Sequence, residues 1–140
     1  MIILDTNVLS ELLKPAPSSE VITWLSGQAS LRVFTTTITQ AEILYGVELL
    51  PRGKRKSRLE LLVATVLEHD FDARILPFDT EAARVFPKIV AARRTAGRPI
   101  AAFDVQIAAI AQSRNAAVAT RNITDFEGCG IRLVNPWREY

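Results

Sequence analysis

The chain has 140 residues, 49% of them apolar and 23% charged, with a formal net charge of +2 and one cysteine. That length holds one sizeable core, so a single domain over residues 1–140 is expected, and the composition excludes a disordered or acidic solvating chain. No apolar run is long enough to cross a membrane, no signal peptide is visible at the N-terminus, and Cys129 forms no internal disulfide, which together fit a reducing cytoplasm and a small apolar filler role for Cys129.

Met1 to Leu4 is apolar throughout and suits a strand buried in a parallel sheet. It ends at Asp5, which either caps a following helix or stands at the carboxyl end of the strand, where open α/β sheets bind their ligands. Asn7 to Leu13 reads as a short helix stopped by Pro15 and Pro17, and Ser18 or Ser19 caps a second helix through Trp24 and Leu25 that ends near Gly27. Leu31 to Thr36 is a second strand. Thr39 to Leu50 is helical, with Ile43, Val47 and Leu50 on one side and Pro51 and Gly53 at its end.

A long helix follows, with Leu59, Leu62, Val63, Val66 and Leu67 as one apolar stripe that serves either the core or self-association. Arg74 to Phe78 is a third strand, and Asp79 caps a helix from Glu81 to Ala96. Phe103 to Arg114 gives another alanine-rich helix, and Ala116 to Thr120 and Ile131 to Val134 add two short strands. Strands separated by helices imply an α/β fold with a mostly parallel sheet. The two basic runs, Arg52 to Arg58 and Arg93 to Arg98, are either solvated helix faces or phosphate contacts, and by themselves name no substrate.

Three carboxylates coincide with element ends: Asp5 after the first strand, Glu42 early in the third helix and Asp104 at the start of the alanine-rich helix. Each has a structural account. Thr39 and Glu42 form a possible capping box, and Asp104 complements a helix dipole. Together they converge on one edge of a parallel sheet, where crowded oxygen ligands favour a hard cation such as Mg²⁺ or Mn²⁺. A phosphodiester would complete that shell.

The segments Ile2-Ile3-Leu4-Asp5-Thr6-Asn7-Val8, Thr39-Gln40-Ala41-Glu42-Ile43-Leu44-Tyr45-Gly46, Phe103-Asp104-Val105-Gln106-Ile107-Ala108 and Ala119-Thr120-Arg121-Asn122 resemble, in order, the four PIN-domain motifs. The chain is similar in particular to the VapC toxins and their FitB-like branch, which ends in a segment like Val134-Asn135-Pro136-Trp137. The resemblance implies a three-layer α/β/α fold with about five short strands. It also implies a metal-dependent endoribonuclease, the toxin of a type II toxin–antitoxin module, using Mg²⁺ or Mn²⁺. Its partners would be an RNA substrate, a VapB/FitA-like antitoxin whose tail covers the acidic groove, and a second copy in a homodimer or larger assembly, with no membrane involved.

The family's three leading acids, which hold the metal, fall on Asp5, Glu42 and Asp104, while Thr6, Asn7 and Thr120 fall beside them as polar supports. Asn7 has a helix cap as its competing account. The fourth acid commonly follows the Thr-Arg dipeptide, where this chain has Asn122, a neutral oxygen donor. Asp125 either replaces the missing charge or is a turn or helix cap.

Two other functions compete. Asp5-Thr6-Asn7-Val8 partly mimics the nucleophile loop of haloacid-dehalogenase-type phosphatases, although that loop needs an acid where this chain has Asn7. A non-catalytic binding module with a depleted acidic site is the third reading. His69 is not expected to act as a base, and Trp24 and Trp137 are expected to pack rather than stack on bases.

Overall fold

The apolar start of the chain becomes β1 (Ile2–Leu4), the middle strand of a five-stranded sheet in the computed structural model, which describes residues 1–138. The other strands are β2 (Val33–Thr36), β3 (Ile75–Leu76), β4 (Ala117–Ala119) and β5 (Leu133–Val134). They run in the order β3-β2-β1-β4-β5, and each neighbouring pair is parallel. Ile3 aligns with Phe34 on one side and Val118 on the other, which sets the register of the centre.

Alternation along these short strands divides the core in two, because successive side chains point to opposite faces. Ile3 and Val118 face one layer, with Ile107 and Ile110 of α6 (Ala102–Ser113) and Ile89 of α5 (Thr80–Thr95). Leu4 and Ala119 face the other, with Val8 and Leu9 of α1 (Thr6–Leu12), Val21 of α2 (Ser19–Ser26), Ile43 and Val47 of α3 (Thr37–Glu48) and Val63 of α4 (Lys54–Thr65). The result is the expected α/β/α sandwich. Central strands buried on both faces explain the unbroken apolar run Ile2-Ile3-Leu4.

Several local expectations shift. Leu31 lies outside β2, in a 3-10 turn (Ser30–Arg32), and is 80% exposed. The turn and β2 are tied down by Arg74, whose guanidinium donates to the carbonyls of Ser30 and Val33, both at 2.5 Å, and of Asp70. The third strand shrinks from Arg74–Phe78 to Ile75–Leu76. The long helix is α4 followed by a π turn (Val66–Asp70), and its stripe mostly joins the core: Val63 and Leu67 are buried, whereas Leu62 stays 41% exposed. A short helix α7 (Ile123–Phe126) arises in a stretch with no helical pattern of its own.

Pro87 sits inside α5, although proline removes one helical hydrogen bond and crowds the preceding turn. Both Pro87 and Ala83, whose carbonyl loses that bond, are exposed, so water can serve the orphaned oxygen. An interior proline costs about 3 kcal/mol, against the 0.4–1 kcal/mol or so it contributes by stiffening the unfolded chain. Pro87→Ala is therefore expected to stabilise the fold by about 2 kcal/mol, read as a rise of several degrees in thermal midpoint; a lower midpoint would mean that a bend at Pro87 is needed for packing.

Candidate active site

Three element junctions deliver the acids to one edge of the sheet. Asp5 directly follows β1; α3 starts directly after β2; and α6 runs toward the start of β4, so its first turn lies at the strands' carboxyl edge. Asp5 is only 5% exposed, whereas Glu42 and Asp104 are half-buried. Asp104 occupies the first turn of α6, behind an Ala101 cap that supplies no side-chain bond.

Asp5 caps α1 and at the same time stands at the carboxyl edge of β1, so its role as a cap does not remove it from that edge. One carboxylate oxygen, Oδ1, accepts from the Thr6 backbone N–H at 2.8 Å at the start of α1. The other, Oδ2, accepts from the Thr120 hydroxyl at 2.8 Å and from Asn7 Nδ2 at 3.4 Å. Thr120 is fully buried at the end of β4, and its hydroxyl oxygen in turn accepts from the Asn122 backbone N–H at 3.1 Å and Asn7 Nδ2 at 3.3 Å. Asn7 is no helix cap. Its Oδ1 accepts from the Arg121 N–H at 3.2 Å, so the position where a phosphatase loop needs an acid is a spacer between α1 and β4.

The proposed capping box also gives way. Thr36, not Thr39, caps α3, its hydroxyl accepting from the Thr39 N–H at 3.1 Å. Glu42 is thereby free of capping and accepts instead from the Thr6 hydroxyl at 2.9 Å. That hydroxyl has one proton, so Thr39 donates in the 3.0 Å contact between the two threonine oxygens. Thr39 thus supports the site indirectly, a role masked in sequence by its place ahead of a glutamate.

Asp5 and Asp104 both feel the acids around them. Burial is the main influence that raises the Asp5 carboxyl above its usual range, partly opposed by the Thr120 and Thr6 hydrogen bonds; Glu42 and Asp125 push it further up. Asp104 is pushed up to about 6, first by burial and then by Asp5, Asp125 and Glu42, with Arg93 pulling the other way. Asn122 and Asp125 are both exposed on α7. Asn122 begins that helix without a side-chain cap bond, and Asp125 lies in its first turn rather than at its cap.

The segment bearing Asp125 is anchored by residues that the sequence grouped as a basic patch. Arg93, 6% exposed, donates through Nε to the Arg98 carbonyl at 2.6 Å and through a terminal nitrogen to the Glu127 carbonyl. Arg98 reaches the Thr124 carbonyl at 3.2 Å and the Glu127 carboxylate at 3.1 Å. Two of the three arginines therefore hold α7 to the end of α5, Arg93 from a buried position and Arg98 from the surface. Cys129 is a buried filler beside Arg93, and burial raises its thiol. His69 is exposed on the π turn, and Trp24 and Trp137 pack against the core, as expected.

A groove of about 560 Å³ opens from Thr6 and Glu42 between α1, α3 and α4, with Arg55 and Arg58 on its lining. Of the acids Glu42 lines this groove, and carboxylate oxygens such as those of Asp5, Glu42 and Asp104 suit a hard divalent cation in kind. Among the described residues no three Asp, Glu, His or Cys side chains are arranged to enclose an ion. Asp5 and Glu42 are engaged by the hydroxyls of Thr120 and Thr6.

Residues 2–127 match the family model described as the PIN domain. The toxin FitB of Neisseria gonorrhoeae is 40% identical over 99% of this chain and 100% of its own. A VapC ribonuclease of Sinorhizobium fredii is 39% identical over 98% of each chain. The solved FitAB complex bound to a DNA fragment contains a chain that superposes with a TM-score of 0.94 at 39% identity, covering 100% of this chain and 98% of that one.

Asp5 and Asp104 keep their protons to higher pH in the fold than in the unfolded chain, where carboxyls titrate near the usual 3.8. Over the window from about pH 4 to about pH 6 the folded state therefore binds more protons, and this pair's contribution to stability falls as pH rises. In chelator, Asp104→Asn should raise the melting temperature by a few degrees near pH 7.5 and change it little near pH 4, where the native acid is already neutral. Equal shifts at both pH values would contradict this account of Asp104.

Proposed function

From the premise that this chain belongs to the PIN-domain family, in its VapC and FitB group, we propose that it is a metal-dependent endoribonuclease, the toxin of a type II toxin–antitoxin module. The observation that carries this reading is the gathering of acids at one sheet edge, where Asp5 follows β1 and Asp104 opens α6, and where burial and then the neighbouring acids Glu42 and Asp125 raise both carboxyls. Structural capping alone gives no reason for four acids to share a partly buried space. A nuclease site that neutralises them with a cation does.

Asp5, Glu42 and Asp104 are the residues that would hold Mg²⁺ or Mn²⁺, with Asn122 or Asp125 completing the site. When bound, the ion neutralises phosphate charge and lowers the pKa of an attacking water. The Thr120 hydroxyl and Thr6 amide orient Asp5, while the Thr6 hydroxyl orients Glu42. Asp104 must shed its proton before the cluster accepts a cation, so metal affinity rises with pH through about 6. Arg93 and Arg98 tie α7, which carries Asp125, to the end of α5.

The chain works as one PIN domain in the cytoplasm, as a homodimer, with RNA as substrate and a VapB/FitA-like antitoxin as inhibitor. A relative captured in a FitAB complex supports the antitoxin. No helix among the described residues is long and apolar enough to cross a membrane.

Controlled expression followed by sequencing of RNA ends is expected to reveal new 5′ ends with the wild-type protein and none with Asp5→Asn. Purified protein should cleave RNA with Mg²⁺ or Mn²⁺ and stop in chelator. Asp125→Asn should lower the rate about 10–100-fold and Asn122→Ala much less. Equal cleavage by wild type and Asp5→Asn would refute the assignment.

A further inference from the structure

Thr120, which donates to Asp5, leads directly into Arg121, and separate parts of the chain hold that arginine. Its N–H donates to Asn7 Oδ1 at 3.2 Å, and its carbonyl accepts from Asn135 Nδ2 at 3.5 Å. Its guanidinium lies over the Trp137 ring, with Cζ 5.0 Å from the ring centroid. Asn135 also fixes the tryptophan, its Oδ1 accepting from the Trp137 N–H at 3.0 Å. Trp137 is packed against the same core layer as Leu4 and Val8.

Arg121 is exposed and belongs to none of the ion pairs among the described residues, which join Lys14 to Glu11, Arg84 to Glu81, Arg98 to Glu127 and Arg114 to Asp79. Stacking engages the face of a guanidinium and leaves its in-plane N–H donors open. Among the described residues no carboxylate pairs with this cation, which is held in place one residue from Thr120. An RNA backbone approaching four carboxylates meets like charge, and a fixed guanidinium at the rim both offsets that repulsion and offers two parallel donors to a phosphate.

We propose that Arg121, stacked on Trp137, is a substrate-positioning residue that grips an RNA backbone phosphate beside the cleavage site. The segment Asn135-Pro136-Trp137 then has a function beyond packing, as the mount for that arginine. This inference rests on the ribonuclease reading.

The test measures binding of a fluorescein-labelled single-stranded RNA to Asp5→Asn protein by anisotropy over a salt series, so that cleavage does not interfere. Adding Arg121→Ala should weaken binding about tenfold and flatten the log–log salt slope by about 0.7, the value for one phosphate contact on a single strand. Arg121→Lys should keep the slope while recovering only part of the affinity, because charge remains and the flat stacked donor is lost. Trp137→Leu should weaken binding several-fold with little change in slope. In the active protein, Arg121→Ala should raise KM more than it lowers kcat.

Folded Arg121→Ala protein with unchanged affinity and slope would overturn the inference, and the ribonuclease assignment would stand. Wild-type protein that cleaves RNA no better than Asp5→Asn would overturn the ribonuclease reading instead, and the inference with it.

Discussion

The pair of hydrogen bonds that Asp5 accepts, from the Thr6 backbone and the Thr120 hydroxyl, is the interaction on which the site depends. Burying an ionised carboxylate without partners costs several kcal/mol, whereas a hydrogen bond to a charged group returns about 1.5–3 kcal/mol. These bonds therefore offset part of the penalty. The remainder appears as a carboxyl that holds its proton above the usual range. Because the donors belong to α1 and to the end of β4, tolerating Asp5 also binds the two central strands' ends to each other.

From that junction the rest of the edge is organised by short connections. The Thr120 hydroxyl oxygen accepts from the Asn122 backbone N–H, and the Thr6 hydroxyl donates a hydrogen bond to Glu42. Threonine suits these positions because its hydroxyl donates once and accepts as well. Asp104 stands outside this hydrogen-bonded set, placed by the first turn of α6 and acted on through space by its neighbours and Arg93. The site thus has a rigid half around β1 and β4 and a half positioned by helix packing.

Stability and function pull against each other along this edge. Burial and neighbouring acids make the ionised forms of Asp5 and Asp104 costly to the fold as pH rises through about 6, and the two apolar layers compensate. Those layers contain Ile3, Leu4, Ile107 and Ile110, each at most 1% exposed, and a fully buried aliphatic side chain contributes about 1.5–3 kcal/mol. The arginine clamp of Arg93 and Arg98 adds stiffness where α7, only four residues long, lacks a core-forming face of its own beyond Phe126.

Much of the architecture was legible in local pattern. The run Ile2-Ile3-Leu4, the helical stripes carrying Ile43 and Val47 or Ile107 and Ile110, and the stops at Pro51 and Gly97 mark elements because burial and backbone sterics act over a few residues. Their boundaries were less legible. Leu31 continues an apolar strand pattern yet leaves the sheet, and Thr39 mimics a cap one turn inside a helix that Thr36 starts, because several threonines compete for one role. Pro87 would locally stop α5, but packing of Ile89 and Ala82 carries the helix through.

The sequence by itself determined the alternation of strands and helices, the four PIN-like motifs and the placement of Asp5, Glu42 and Asp104 at element ends, since spacing and periodicity are properties of the chain. Only the tertiary structure decided which acids feel one another, that Arg93 is a buried tether, and that Arg121 meets Trp137. Those relations join residues far apart in the chain, and they exist only once parallel strands bring their carboxyl ends to a common edge.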